Sequence, residues 1–248
     1  QKSIFNFMKQ IETHFNQLRL TGMSRSWQSL LETRRENELS LVEGLEILLQ
    51  AEQEERTNRR FERLRKNAKF RYQASIEEID YAPERGVNKS LISNLATCDY
   101  ITKGEAVLIT GATGCGKSFI ASALGHQACI HGKSVAYFNT HKLMGKIKMA
   151  RLDGSILKFF DKLAKTSLLI LDDFGLTNLE QQQQFDLMEI IEDRHGRLAT
   201  IIASQLPVGS WFDVIGEATI ADAILDRLVH TSHRIELKGD TLRKKKKN

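Results

Sequence analysis

The chain has 248 residues, 41% of them apolar and 27% charged, which suits one sizeable globular domain and a smaller one. No apolar run approaches the roughly 18 residues a membrane helix needs, and Gln1 to Leu20 is amphipathic rather than a basic-then-apolar signal sequence. The net charge of +5 favours a polyanionic partner only weakly, because much of the excess sits in Lys244 to Lys247.

In chain order, Ile4, Phe7, Met8, Ile11, Phe15 and Leu18 recur at helical spacing and predict a first helix that Thr21-Gly22 breaks. Ser24 to Leu39 reads as a second helix, with Trp27, Leu30 and Leu31 on one face. Ser40 followed by Glu43 is a capping box. It opens a long third helix expected to bury Leu41, Leu45, Leu48 and Leu49. That helix turns strongly charged from Glu52 to Arg71. Its basic cluster of Arg59, Arg60, Arg63, Arg65, Lys66, Lys69 and Arg71 fits either a solvated face or a DNA contact.

These helices form a predicted N-terminal domain over residues 1–73. Residues 74–105 read as a connector, bent at Pro83 and Gly86, with a short helix at Leu91 to Ala96. Strands and helices then alternate over 106–243, ahead of a basic tail at 244–248. Strand candidates are Val107 to Thr110, Val135 to Phe138, Leu168 to Leu171, Thr200 to Ala203 and Arg234 to Leu237. The alternation predicts an α/β fold with a parallel sheet covered on both faces. Cys98, Cys115 and Cys129 have no metal-ligand spacing and read as free thiols of a reducing cytosol.

Gly111-Ala112-Thr113-Gly114-Cys115-Gly116-Lys117-Ser118 is a complete G-x-x-x-x-G-K-[ST] phosphate loop. An apolar strand enters it, and a helix leaves it from Phe119 onward. Such a loop aims backbone N–H groups at one point. Lys117 is expected to reach the β- and γ-phosphates of ATP, and Ser118 to put its hydroxyl on Mg²⁺. Leu168 to Leu171 runs into Asp172 and Asp173 at the carboxyl edge of a buried strand, where open α/β sheets bind ligands. Asp172 fits a Walker-B carboxylate in the Mg²⁺ shell, and Asp173 an acid that orients or deprotonates the attacking water. Ser204 and Gln205 follow the Thr200 to Ala203 strand. They would emerge beside the γ-phosphate, or cap the turn before Pro207. Arg227, on a predicted helix over Asp222 to Val229, is either a surface ion-pairing residue or an arginine finger for a neighbouring subunit.

With these residues in view, the chain resembles the AAA+ ATPases of the DnaC/IstB group. It is most similar to IstB, the ATPase helper encoded beside the transposase in one family of bacterial insertion sequences. Further residues carrying the resemblance are Ile76-Glu77-Glu78-Ile79-Asp80-Tyr81, Cys98-Asp99-Tyr100-Ile101, Leu171-Asp172-Asp173-Phe174-Gly175, Leu225-Asp226-Arg227-Leu228 and His233-Arg234-Ile235-Glu236-Leu237. The resemblance implies a five-stranded sheet in order 5-1-4-3-2, ATP with Mg²⁺ bound between subunits, and ring or helical homo-oligomers that grip duplex DNA for a cognate transposase. A replicative-helicase loader of the DnaC type is the alternative within the fold. The resemblance also matches Lys117 and Ser118 to the Walker-A pair, Asp172 to the metal acid and Asp173 to the water-activating position. Ser204 or Gln205 falls in the sensor-1 region, and Arg227 at the arginine finger.

Two departures stand out. Asp173 replaces the Glu of most AAA+ proteins and is one methylene shorter, as in the DnaC/IstB branch itself. A helical lid after strand five is also not expected. His141, Lys142, Lys146, Lys148 and Arg151 fall on or beside a helix that faces the central axis in similar assemblies, where they would neutralise DNA phosphates; the other reading is a solvent-exposed basic helix. A stand-alone metabolic kinase would need a small-substrate pocket and usually a lid, and the sequence signals neither.

Overall fold

The computed structural model describes residues 2–35, 38–239 and 241–242; the tail at 244–248 lies outside the described residues. The chain divides into two compact units, residues 1–63 and 64–248.

The first unit holds helices α1 (Lys2–Gln17), α2 (Thr21–Glu32) and the first part of α3 (Leu41–Ala68). The expected break at Thr21-Gly22 is displaced: α2 begins there and ends at Glu32, short of Leu39. The chain turns instead at Arg19, whose φ is +59°. Gly22 serves a different purpose. A Cβ there would sit 2.6 Å from the Cα of Glu52, so the missing side chain lets α2 approach α3 closely. Leu20 gives α2 no side-chain cap, and Glu52 replaces it by accepting from the N–H groups of Gly22 (2.8 Å) and Met23 (3.3 Å). The capping box of α3 forms as the sequence predicts. Glu43 accepts from the Ser40 N–H at 2.8 Å, and the Glu43 N–H donates to the Ser40 hydroxyl at 3.3 Å. The expected burial along α3 holds only at Leu48. Leu48 is buried with Met23 and Leu30, whereas Leu41, Leu45 and Leu49 are exposed. Only one stripe of α3 meets the small core of this unit.

The second unit is a three-layer α/β fold. Its strands are β1 (Ala106–Gly111), β2 (Val135–Asn139), β3 (Leu168–Phe174), β4 (Ala199–Ser204) and β5 (Ser232–Leu237). All pair in parallel in the order β2-β3-β4-β1-β5, which is the expected 5-1-4-3-2 order read from the other edge. Leu168, Leu169, Ile170 and Leu171 are all fully buried, which is why this strand is continuously apolar rather than alternating. Leu169 and Leu171 pack with α7 (Thr140–Leu152), α8 (Ile156–Ala164), α9 (Gln181–Arg194), α10 (Trp211–Ile215) and α11 (Ala218–Val229). Ile170 points the other way, toward α6 (Lys117–Ile130). The short helices α4 (Lys89–Ala96) and α5 (Asp99–Lys103) complete the unit.

Arg194, at the end of α9, is 1% exposed and ties this core together. It donates to the carbonyls of Leu163 (2.7 Å), Thr166 (2.9 Å) and Ala199, and to the Thr200 hydroxyl (3.1 Å). Burial without an acid partner lowers its pKa to about 10, still far above neutral pH.

Candidate nucleotide site

Strand β1 feeds the loop from Ala112 to Gly116, and α6 starts immediately after it at Lys117. Gly114 and Gly116 have φ of +85° and +102°, a backbone that L side chains rarely adopt, so the loop needs glycine at both. The Cys115 carbonyl accepts from the buried Arg85 guanidinium, and the Gly114 carbonyl from the Leu242 N–H at 3.0 Å. These two contacts tie the loop backbone to residues outside it. Lys117 is itself buried. Its ammonium donates to the carbonyls of Gly111 (2.7 Å) and Ala112 (2.8 Å) within the loop it serves.

The two acids sit one residue apart in very different settings. Asp172 is 1% exposed. Its Oδ1 accepts from the Ser118 hydroxyl and from the Asp173 N–H, both at 2.9 Å. Its Oδ2 accepts from the Tyr137 hydroxyl, and Thr140 donates to its carbonyl at 2.9 Å. Burial, and then the Asp172 charge, push the Tyr137 pKa well up, so this phenol stays protonated as a donor. Asp173 has φ +55°, uncommon for a residue with a side chain, where the β3–β4 register shifts between Leu171 and Phe174. Asp173 Oδ2 accepts from Asn139 Nδ2 at 2.9 Å and from Arg71 at 3.0 Å.

Among the described residues no group of three or more His, Cys, Asp and Glu could hold a metal. Mg²⁺ does not need one, since it commonly takes one or two protein oxygens and completes its shell with phosphates and water. The Ser118 hydroxyl and Asp172 carboxylate, already 2.9 Å apart beside the phosphate loop, fit that requirement.

The structure thus gathers Gly111 to Ser118, Asp172 and Asp173. Gln205 joins them by accepting from the Thr113 hydroxyl at 2.8 Å. Phe119 lies on the first turn of α6, near the ring of Tyr72. Ser204 is fully buried and donates to the Phe174 carbonyl at 2.7 Å. Arg227 has its contacts elsewhere, in an ion pair with Glu192 of α9 and a 2.9 Å hydrogen bond to the Ala223 carbonyl. On α7, Lys142, Lys146 and Lys148 are exposed, with Lys146 5.6 Å above the Phe138 ring. Arg151 pairs with the buried Asp186 of α9.

Sequence reasoning missed Tyr137, Asn139, Thr140 and above all Arg71. Asn139 carried a detectable signal as the N-cap of α7, where it accepts from the Lys142 N–H. Arg71 carried none, being one basic residue in a charged run. Its guanidinium, though partly exposed, bridges Asp173 and Asp172 at 3.0 and 3.4 Å, a contact that neither reading of the run anticipates. Burial acts against its charge; Tyr72, Asp173 and Asp172 outweigh it, so its pKa is raised.

Residues 13–248 match the family described as IstB-like ATP binding protein. The chain belongs to that family. It is 44% identical over 229 residues to an insertion sequence ATP-binding protein of Sinorhizobium fredii, covering 92% of this chain and 94% of that one. It is 27% identical over 240 residues to the insertion sequence IS21 ATP-binding protein of Pseudomonas aeruginosa, covering 97% and 91%. The fold of this IstB-like chain also resembles the crystal structure of the DnaC helicase loader, with a TM-score of 0.58 and 19% identity over 67% of this chain and 98% of that one. The replication initiator DnaA bound to AMPPCP and single-stranded DNA aligns with a TM-score of 0.59 and 16% identity, over 69% and 52%.

Proposed function

We propose that this IstB-like protein is an ATPase that assembles on duplex DNA as a homo-oligomer and assists the transposase of its insertion sequence. The observation that carries the reading is the 2.9 Å contact between Ser118 and Asp172 under a fully formed phosphate loop, in a chain whose relatives are insertion sequence ATP-binding proteins. In this reading Lys117 and the loop N–H groups hold the ATP phosphates, while Ser118 and Asp172 hold Mg²⁺. When bound there, Mg²⁺ would supply charge that offsets the phosphates during transfer. Asp173 orients the attacking water, Gln205 senses the γ-phosphate from the far side of the loop, and Arg227 serves a neighbouring subunit. The three buried free thiols accord with a cytoplasmic protein.

Lys142, Lys146 and Lys148 are the DNA contacts this reading favours on α7, with Arg151 holding that helix to α9 through Asp186. Phosphate contacts of this kind bind without regard to sequence and weaken with salt. The test measures ATP-dependent assembly on duplex DNA by electron microscopy, together with the salt dependence of binding. Neutralising the three lysines should lower the log–log salt slope by about 0.9 per lost contact. Assembly indifferent to ATP, or hydrolysis indifferent to duplex DNA, counts against the proposal.

A further inference from the structure

Arg71 lies outside every motif of the site, yet it touches both acids. Its position is built from both sides. Phe70 packs against the rings of Tyr137 and His126, at 6.2 and 6.4 Å between centroids. It fits there because α6 has Gly125 at the contact, where a Cβ would come within 2.5 Å of the Phe70 ring. On the other side, Tyr72 lies 6.5 Å from Phe119, just past the phosphate loop, and the Arg71 guanidinium stands 5.6 Å over the Tyr72 ring. The two flanking aromatics fix the backbone, and the guanidinium reaches Asp173 Oδ2 at 3.0 Å and Asp172 Oδ2 at 3.4 Å.

We propose that Arg71 is a positioning residue for hydrolysis, which clamps Asp173 through Oδ2 and stands as the counter-cation of the acid pair where a divalent metal binds. The proposal rests on the reading of the site as an ATPase. Arg71 and Asn139 converge on one oxygen of Asp173, so the carboxylate cannot rotate and its other oxygen presents to the attacking water. The same guanidinium neutralises part of the Asp172 charge and thereby competes with the metal. The two consequences have opposite signs. Removing Arg71 strengthens divalent-cation binding while it slows hydrolysis, whereas loss of a merely structural residue weakens both.

The test uses the full chain as wild type, Arg71→Gln and Arg71→Lys. Mn²⁺ binding in the presence of ADP is followed by electron paramagnetic resonance, and ATP turnover is measured at saturating ATP and Mg²⁺. Arg71 is partly exposed, so its charge is screened and Arg71→Gln should tighten Mn²⁺ binding about two- to fivefold. Its turnover should fall about tenfold, a fraction of what a positioned acid–base group supplies. Arg71→Lys should return Mn²⁺ affinity to the wild-type value but restore turnover only in part, because an ammonium lacks the forked reach of a guanidinium. Wild-type turnover in Arg71→Gln, or weaker Mn²⁺ binding alongside lost turnover, overturns the proposal. If Arg71→Gln melts early, Arg71→Lys decides alone: lowered turnover at wild-type Mn²⁺ affinity supports the clamp, and wild-type turnover overturns it. A wild-type protein that neither binds Mn²⁺ with ADP nor turns over ATP sinks the ATPase reading and this proposal with it. Active wild type with unchanged variants sinks only the role of Arg71.

Discussion

The Thr113 hydroxyl donates to the side-chain oxygen of Gln205 across 2.8 Å, joining the middle of the phosphate loop to the residue that follows β4. Ser204, its neighbour, points into the protein, donating to the Phe174 carbonyl and accepting from the Leu206 N–H at 3.1 Å. Ser204 is the last residue of β4 and is buried, while Gln205 lies beyond the strand against the phosphate loop, so in the proposed reading Gln205 rather than Ser204 registers the phosphate. Gln205→Ala should therefore keep the melting temperature and lower ATP turnover about tenfold or more. Ser204→Ala should instead destabilise the fold by about 1–3 kcal/mol, since it orphans a buried carbonyl. Thermal melts and steady-state turnover on both variants separate the roles, and the opposite pattern would reassign the sensor to Ser204.

Asp173→Asn is expected to bind ATP with near wild-type affinity and to hydrolyse it far more slowly. Asp172, Ser118 and Lys117 are untouched, and only the carboxylate proposed to orient water is lost. The choice of Asn matters, because Asp173 sits at φ +55°, a conformation that Asn tolerates better than most residues. Asp173→Val should fail differently, by losing stability as well as turnover. Nucleotide titration and hydrolysis on the Asn variant make the comparison, and turnover equal to wild type removes Asp173 from the reaction.

Much of this site was legible in the sequence, for a physical reason. A phosphate loop needs its glycines, lysine and hydroxyl at fixed spacing, and a buried parallel strand must be apolar until its acidic end. Gly111 to Ser118 and Leu168 to Asp173 therefore carry their signal locally. The inner strands were legible on the same grounds, and β5 by its alternation of buried Ile235 and Leu237 with exposed Arg234 and Glu236. Arg71 and Tyr137 were not, because what defines them is proximity across the fold rather than spacing along the chain. The N-terminal unit misled for a related reason. Gly22 signals a break by local propensity, but in the structure it is a contact point between helices. Leu41, Leu45 and Leu49 have core-like periodicity, yet the unit has too little core to cover them.

Glu52 ties the first unit to pH. Burial raises its pKa, but the hydrogen bonds from Arg56, Met23 and Gly22 lower it more, so the folded value lies below the ordinary 4.5. A depressed carboxyl pKa contributes stability that is full above the unfolded value and is lost as pH falls through the folded one. Amide hydrogen exchange in α2 should therefore accelerate as pH drops below about 4.3, beyond the intrinsic pH dependence of exchange. Glu52→Gln should flatten that response and cost about 1 kcal/mol at neutral pH, the usual worth of a helix cap. Gly22→Ala should loosen the same helix at every pH, because its Cβ clashes with backbone. An α2 protected equally at pH 3 and pH 7 in wild type would show that the cap carries no weight.

Arg227 separates an assembly ATPase from a self-contained one. Within one chain its guanidinium is engaged by Glu192 of α9 and the Ala223 carbonyl, which is all that an isolated subunit asks of it. The pair is partly exposed, so breaking it should change stability by no more than about 1 kcal/mol. If that were its only purpose, Arg227→Ala and Glu192→Gln would behave alike and leave turnover intact. If instead Arg227 completes a neighbour's site, Arg227→Ala should bind nucleotide normally yet lose on the order of 10³-fold in rate, while Glu192→Gln frees the finger and keeps turnover. Mixing Arg227→Ala with Lys117→Ala protein should then restore part of the activity, because one subunit supplies the finger and the other the phosphate loop. Absence of rescue in mixed oligomers of wild-type size would falsify the shared site and leave Arg227 as the partner of Glu192 alone.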